Sequence, residues 1–144
     1  MATCREKHFV GQLINGLRNL AHAYVVAGRP SEAIAAAQEA IDLQEKAAVS
    51  VNRSEKQLIL ADAHLALGDL EQAGAALEHA LGYAERQEER GYEGWARLTL
   101  AALEERRGNH AAAVQAADAA QDIAEDLGMR PLLERCRMLL KRLG

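Results

Sequence analysis

Cysteine, proline and aromatic residues are all scarce in this chain of 144 residues. The two cysteines, Cys4 and Cys136, stand near opposite ends, with no CxxC pair and no histidine at ligand spacing. That argues against a disulfide framework or a zinc site; reduced thiols in a cytoplasmic protein are the expectation. Only Pro30 and Pro131 interrupt the backbone's donors, and only five residues are aromatic (Phe9, Tyr24, Tyr83, Tyr92, Trp95). β-Branched runs are almost missing as well, so little in the chain favours strands. No stretch approaches the ~18 apolar residues of a membrane span, and the opening MATCREKHFV has no apolar core of the secretory-signal kind. Neither GxxxxGK[ST] nor GxSxG nor HExxH occurs, which removes the signatures of phosphate loops, nucleophile elbows and zinc hydrolases. No catalytic residue, cofactor or metal is expected, and the protein is read as a non-enzyme.

What the chain has is alanine, within a composition that is 49% hydrophobic. Alanine has the highest helix propensity and lets helices approach closely, so the fold class is all-α. Charge is uneven. Residues 1–129 carry 12 basic and 20 acidic side chains, while residues 130–144 carry five basic and one acidic. An acidic body disfavours binding to a phosphate backbone, so neither nucleic acid nor membrane is expected as a partner. The basic tail suits a terminal helix whose C-terminal dipole it complements.

The order in the chain is a repeat. Gly28, Gly68 and Gly108 are 40 residues apart, and so are Leu20, Leu60 and Leu100. Ala21, Ala61 and Ala101 keep the same interval, as do Ala33, Ala73 and Ala113, then Ala40, Ala80 and Ala120, then Glu45, Glu85 and Glu125. Within a copy the apolar residues fall at helical spacing: Ala33, Ile34, Ala37, Ala40 and Ile41 share one face. Each glycine lies between two such segments, where a left-handed residue ends a helix at low steric cost. Pro30 or Ser31, Asp69 and Asn109 then mark the starts of following helices. Helices are predicted at about 6–27, 31–48, 53–67, 70–88, 92–107, 110–126 and 131–143. The units are 6–48, 53–88 and 92–126, in one repeat domain over 1–144. Helix 131–143 closes the array as a capping half-repeat, with Arg135, Arg137, Lys141 and Arg142 on its outer face. A two-helix unit cannot bury its apolar face alone, but stacked units can.

Leu20-Ala21, Tyr24, Gly28, Ala33, Ala37 and Ala40 resemble the tetratricopeptide repeat, a helix-turn-helix unit that stacks into an α-solenoid. His64 and Glu104 stand where that pattern has an aromatic, and the period is 40 rather than 34. A second resemblance covers residues 72–143 and is carried best by AEDLGMRPLLERC, Ala124 to Cys136. It is similar to the C-terminal helical-repeat region of bacterial multidomain signalling ATPases, the adenylate-cyclase-linked and LuxR-type regulators. That likeness implies a sensor or docking platform, without the ATPase, cyclase or DNA-binding modules.

The tetratricopeptide likeness implies that the first helix of each unit lines a concave groove. The residues so placed are Asn15, Arg18, His22 and Val25; Glu55, Leu58, Asp62 and Leu65; and Trp95, Leu98, Ala102 and Glu105. They lack the Lys/Asn cluster with which some members hold a chaperone's C-terminal carboxylate. Trp95 is either a peptide anchor or buried against the preceding helix. The five histidines are scattered, with His64 read as a packing residue. Cys136, between Arg135 and Arg137, is either core or a thiol of lowered pKa. The partner implied is another protein or peptide. The alternative is an assembly element, in which solenoid ends or Ala-rich helix faces join copies of the chain into a homo-oligomer.

Overall fold

The computed structural model describes residues 4–48 and 53–144. These residues form seven α-helices and no strand: α1 (Cys4–Val26), α2 (Pro30–Lys46), α3 (Arg53–Leu67), α4 (Leu70–Arg86), α5 (Arg90–Arg107), α6 (His110–Leu127) and α7 (Arg130–Leu143). No described helix is long and apolar enough to cross a membrane. The observed ends fall within two residues of those predicted from the sequence.

The turns explain that agreement. Gly28, Gly68 and Gly108 have φ of 75°, 80° and 82°. After each, an amide reaches back five residues: Arg29 to the Tyr24 carbonyl at 2.8 Å, Asp69 to His64 at 2.9 Å, Asn109 to Glu104 at 2.9 Å. This is the Schellman closure, which satisfies carbonyls that the helix end leaves free. The turns between units carry a left-handed residue at 48, 88 and 128, only the last of them glycine, and Glu89 and Met129 reach back in the same way, to Ala84 at 2.8 Å and Ala124 at 2.9 Å. Ala48 and Glu88 adopt φ of 55° and 53°. A left-handed residue therefore recurs every 20 positions, twice per repeat, and two of the six carry a side chain that disfavours it. Of the expected helix starts, Asp69 caps α4, accepting from the Gln72 amide at 3.3 Å. Pro30 occupies the first turn of α2 behind Arg29. Asn109 departs from expectation. It precedes α6 without a side-chain cap bond, because its amide nitrogen is turned back to the Glu104 carboxylate at 2.7 Å.

Each helix packs on the next, and the first helices of the units also touch one another: α1 with α3, α3 with α5, α5 with α7. The second helices, α2, α4 and α6, make no such contact among themselves. An array whose first helices touch while its second helices splay apart is curved, with the first helices on the concave side. The small residues lie where the helices meet. All nine repeated alanines, at 21, 61 and 101, at 33, 73 and 113, and at 40, 80 and 120, are at most 1% exposed. The buried residues form two clusters, one spanning α1 to α5 and one spanning α5 to α7.

Candidate functional site

The concave side holds a cavity of about 550 Å³. Its lining comes from four helices: His22, Val25 and Val26 from α1; Glu55, Leu58, Ile59, Asp62, Leu65 and Ala66 from α3; Tyr92, Trp95, Leu98, Thr99, Ala102 and Arg106 from α5; and Arg135 from α7. Of the residues assigned to a groove from the sequence, His22, Glu55, Leu58, Asp62, Trp95 and Leu98 border this space, with Val25, Leu65 and Ala102 beside them. Arg18 stands just outside and is held to the wall through Glu55. Asn15 is exposed on α1 and lies apart from the cavity lining. Glu105 also points elsewhere, to a bidentate contact with Arg142 (3.0 and 2.6 Å) that fastens the capping helix to α5.

Neighbouring first helices meet one turn out of step with the repeat, so contacts run at 37 residues rather than 40. Glu55 accepts from Arg18 Nη1 at 2.7 Å and from Tyr92 Oη at 3.0 Å, on the same carboxylate oxygen. One carboxylate thus ties α1, α3 and α5 together at one end of the cavity. Burial pushes the Tyr92 hydroxyl up to about 12, and the hydrogen bond to Glu55 adds to the effect. Lys56 is only 2% exposed. Burial lowers its pKa, against the pull of Glu55 and Glu89 and with the repulsion of Arg18 and Arg53.

The next step of 37 joins Asp62 to Thr99, whose hydroxyl is 2.8 Å from Asp62 Oδ1. Burial raises the Asp62 carboxyl from 3.8 to about 6, while the Thr99 bond and the charges of Arg135 and His22 pull it down. Thr99 Oγ1 also lies 3.2 Å from the Trp95 carbonyl. A hydroxyl has one proton to donate. With Asp62 ionised that proton serves Asp62; with Asp62 protonated, the acid donates to Thr99 and the Thr99 proton turns to Trp95. The polar floor is therefore satisfied in both states.

Trp95 is neither fully buried nor clear of the core. It is half-buried, packs against both core clusters and still borders the cavity. The Arg135 guanidinium sits 5.8 Å from the centre of its ring, within cation–π range. Arg106 reaches from α5 to the Leu65 carbonyl at 3.2 Å, near the end of α3. Cys136 is fully buried, and burial pushes its thiol up rather than down, with Arg135 opposing; it is a core residue. His64 is half-buried, with Nδ1 3.9 Å from Asp69 Oδ2.

Tyr92, Thr99, Arg106 and Arg135 were missing from the sequence-based set. The first two lie 37 residues on from Glu55 and Asp62, an offset between helices that the 40-residue repeat does not display. Arg135 belongs to the capping helix and lies 40 residues on from Trp95, so the repeat interval itself reaches it.

An all-α stack of two-helix units, closed by a left-handed residue at every turn and hollow on one side, is a tetratricopeptide-like α-solenoid. The family profile described as tetratricopeptide repeat matches residues 57–87, which run from within α3 to just past the end of α4. The second unit of this chain is thus similar to that repeat. No curated protein matches the chain at a significant level.

Proposed function

We propose that this protein is a non-catalytic scaffold that holds a peptide or helix of another protein in its concave cavity, in the cytoplasm. The observation that carries the reading is the cavity itself. Aliphatic walls from α1, α3 and α5 surround a half-buried tryptophan, with Glu55 and Asp62 as the acidic groups. That pattern suits apolar side chains entering between the helices, with a hydrogen-bond donor directed at Asp62. Tetratricopeptide repeats generally mediate protein–protein interaction, which supports the same role. The likeness of residues 72–143 to the helical repeats of bacterial signalling ATPases agrees with a docking platform and adds no chemistry to it.

Trp95 is the only tryptophan in the chain, so its emission reports on the cavity. Peptides selected from a random display library against the whole chain should shift that emission on binding. Val26 borders the cavity but is 76% exposed, so Val26→Glu should weaken the selected peptides while leaving the helical signal intact. Trp95→Ala should cost about 2 kcal/mol of affinity or more, as for a buried aromatic anchor. Selected peptides that bind both variants as well as wild type would place recognition elsewhere.

A further inference from the structure

The arginines of α5 are matched with carboxylates, with one exception. Arg90 meets Asp126, Arg97 meets Glu85 and Glu93, and Arg107 meets Glu104. Where first helices meet, Arg18 and Arg142 likewise reach Glu55 and Glu105. Arg106 has no carboxylate beside it among the described residues; it donates to the Leu65 carbonyl. Arg135 has none either and lies over the ring of Trp95. Both border the concave cavity. The chain holds 21 acidic against 17 basic side chains, so carboxylates are not in short supply.

The acids of the cavity do not answer these two cations. Glu55 already accepts from Arg18 and Tyr92. Asp62 takes the Thr99 hydroxyl, and Arg135 acts on it through charge without an ion pair. Both guanidiniums keep donors to spare, since an arginine has five N–H groups. A guanidinium lying over an indole still presents the N–H groups of its own plane, and that fork matches a carboxylate. Both side chains are exposed, so an occupant can reach them.

We infer that the segment held in the cavity is acidic, with side-chain carboxylates of the partner pairing with Arg106 and Arg135 while its apolar side chains lie against Leu58, Trp95 and Leu98. The inference rests on the scaffold reading above and adds the partner's charge. Backbone amides of such a segment supply the donor that Asp62 accepts. A basic segment would meet two guanidiniums that nothing neutralises. A phosphate chain brings the right charge, but it has no apolar side chains for the walls and meets Asp62 at the floor, so a polypeptide fits better. The two cations stand in a chain of net charge −4, so they mark out the cavity electrostatically and steer an acidic segment to it.

Peptides selected from a random display library against the whole chain, then made with amidated C-termini, are the probe. Those that shift the Trp95 emission should be enriched in Asp and Glu over the unselected library. Each exposed ion pair is a small term, so replacing the acids of such a peptide by Asn and Gln should weaken it about tenfold at low salt, and the gap should close as salt rises. In a double variant, Arg106→Gln with Arg135→Gln, the acidic and amide forms should bind alike, with unchanged helical circular dichroism. A purely structural role for the arginines would instead weaken both forms equally and leave the gap, which overturns the pairing. Cavity peptides without acidic enrichment overturn the acidic partner and leave the scaffold reading standing. If no peptide shifts the emission, the scaffold reading fails and this inference with it. A single-stranded oligonucleotide that shifts it more than any peptide overturns the choice of a polypeptide.

Discussion

In α2, α4 and α6 the buried residues are chiefly alanine: Ala33, Ala36, Ala37 and Ala40; Ala73, Ala76, Ala80 and Ala84; Ala113, Ala116, Ala117, Ala120 and Ala124. In α3 and α5 the buried set is more varied, with Leu58, Ile59 and Leu60 in one and Leu98, Thr99 and Leu103 in the other, and a lysine among them. The difference follows from curvature. A second helix meets its neighbours through a narrow face and needs small residues there. A first helix faces its own partner, the preceding unit and the cavity, so it buries larger side chains and must satisfy polar groups on the way. The chemistry therefore gathers on the first helices, and the second helices set the distances.

The largest expected effect tests the polar cost of the concave side. The folded pKa of Asp62 is raised from 3.8 to about 6, so between those values the folded state keeps a proton that the unfolded state has lost. Stability should fall as pH rises through that window and stay low above it. Asp62→Asn keeps an acceptor for Thr99 and keeps the neighbouring charges of His22 and Arg135, but loses the carboxyl. At neutral pH it should be more stable than wild type by on the order of 3 kcal/mol, with the gap closing toward pH ~4. Urea unfolding at several pH values measures it, and a gap that does not change with pH would mean that the carboxyl is hydrated.

Next comes the demand for small residues. Ala101 in α5 and Ala120 in α6 are fully buried. Ala101→Leu and Ala120→Leu should each cost about 1–3 kcal/mol through overpacking. Ala111→Leu, on the exposed side of α6, should stay within about 0.5 kcal/mol of wild type. Denaturant midpoints that are alike for all three would show that the close approach of α5 and α6 is slack.

The smallest effect concerns the turns. Glu88 is left-handed without being glycine. Glu88→Gly should stabilise by about 0.5–1 kcal/mol, the relief being partly offset by the freedom that glycine adds to the unfolded chain. Gly68→Ala should move the melting temperature the other way. If both substitutions shift it in the same direction, the equivalence of the two kinds of turn fails.

Much of this was legible because it repeats. Gly28, Gly68 and Gly108 announce their turns by identity, and the nine alanines announce the close contacts. The breaks after α2 and α4 were also placed, but not their left-handed residues, because Ala48 and Glu88 take that conformation without the glycine that would signal it. The cavity residues were legible where the first-helix pattern names them, as at Asp62, Trp95 and Leu98. Contacts set by the offset between helices were not: Tyr92 on Glu55 and Thr99 on Asp62 depend on a step of 37, which no single helix displays. The raised carboxyl of Asp62 depends on burial by three other helices, so no local pattern encodes it.

Trp95 and Leu100 are packed against both core clusters, so α5 is a common wall between two blocks. Stacked repeats interact mainly with their neighbours, and opening tends to proceed in contiguous blocks. Hydrogen exchange should therefore fall into two classes. Amides of α6 and α7 should exchange together through an opening that leaves α1 to α4 closed, and α5 should exchange with whichever block opens last. During such an opening Arg135 leaves the ring of Trp95 and the cavity loses one end, so the lifetime of the C-terminal block would set an upper limit on how long any occupant stays enclosed.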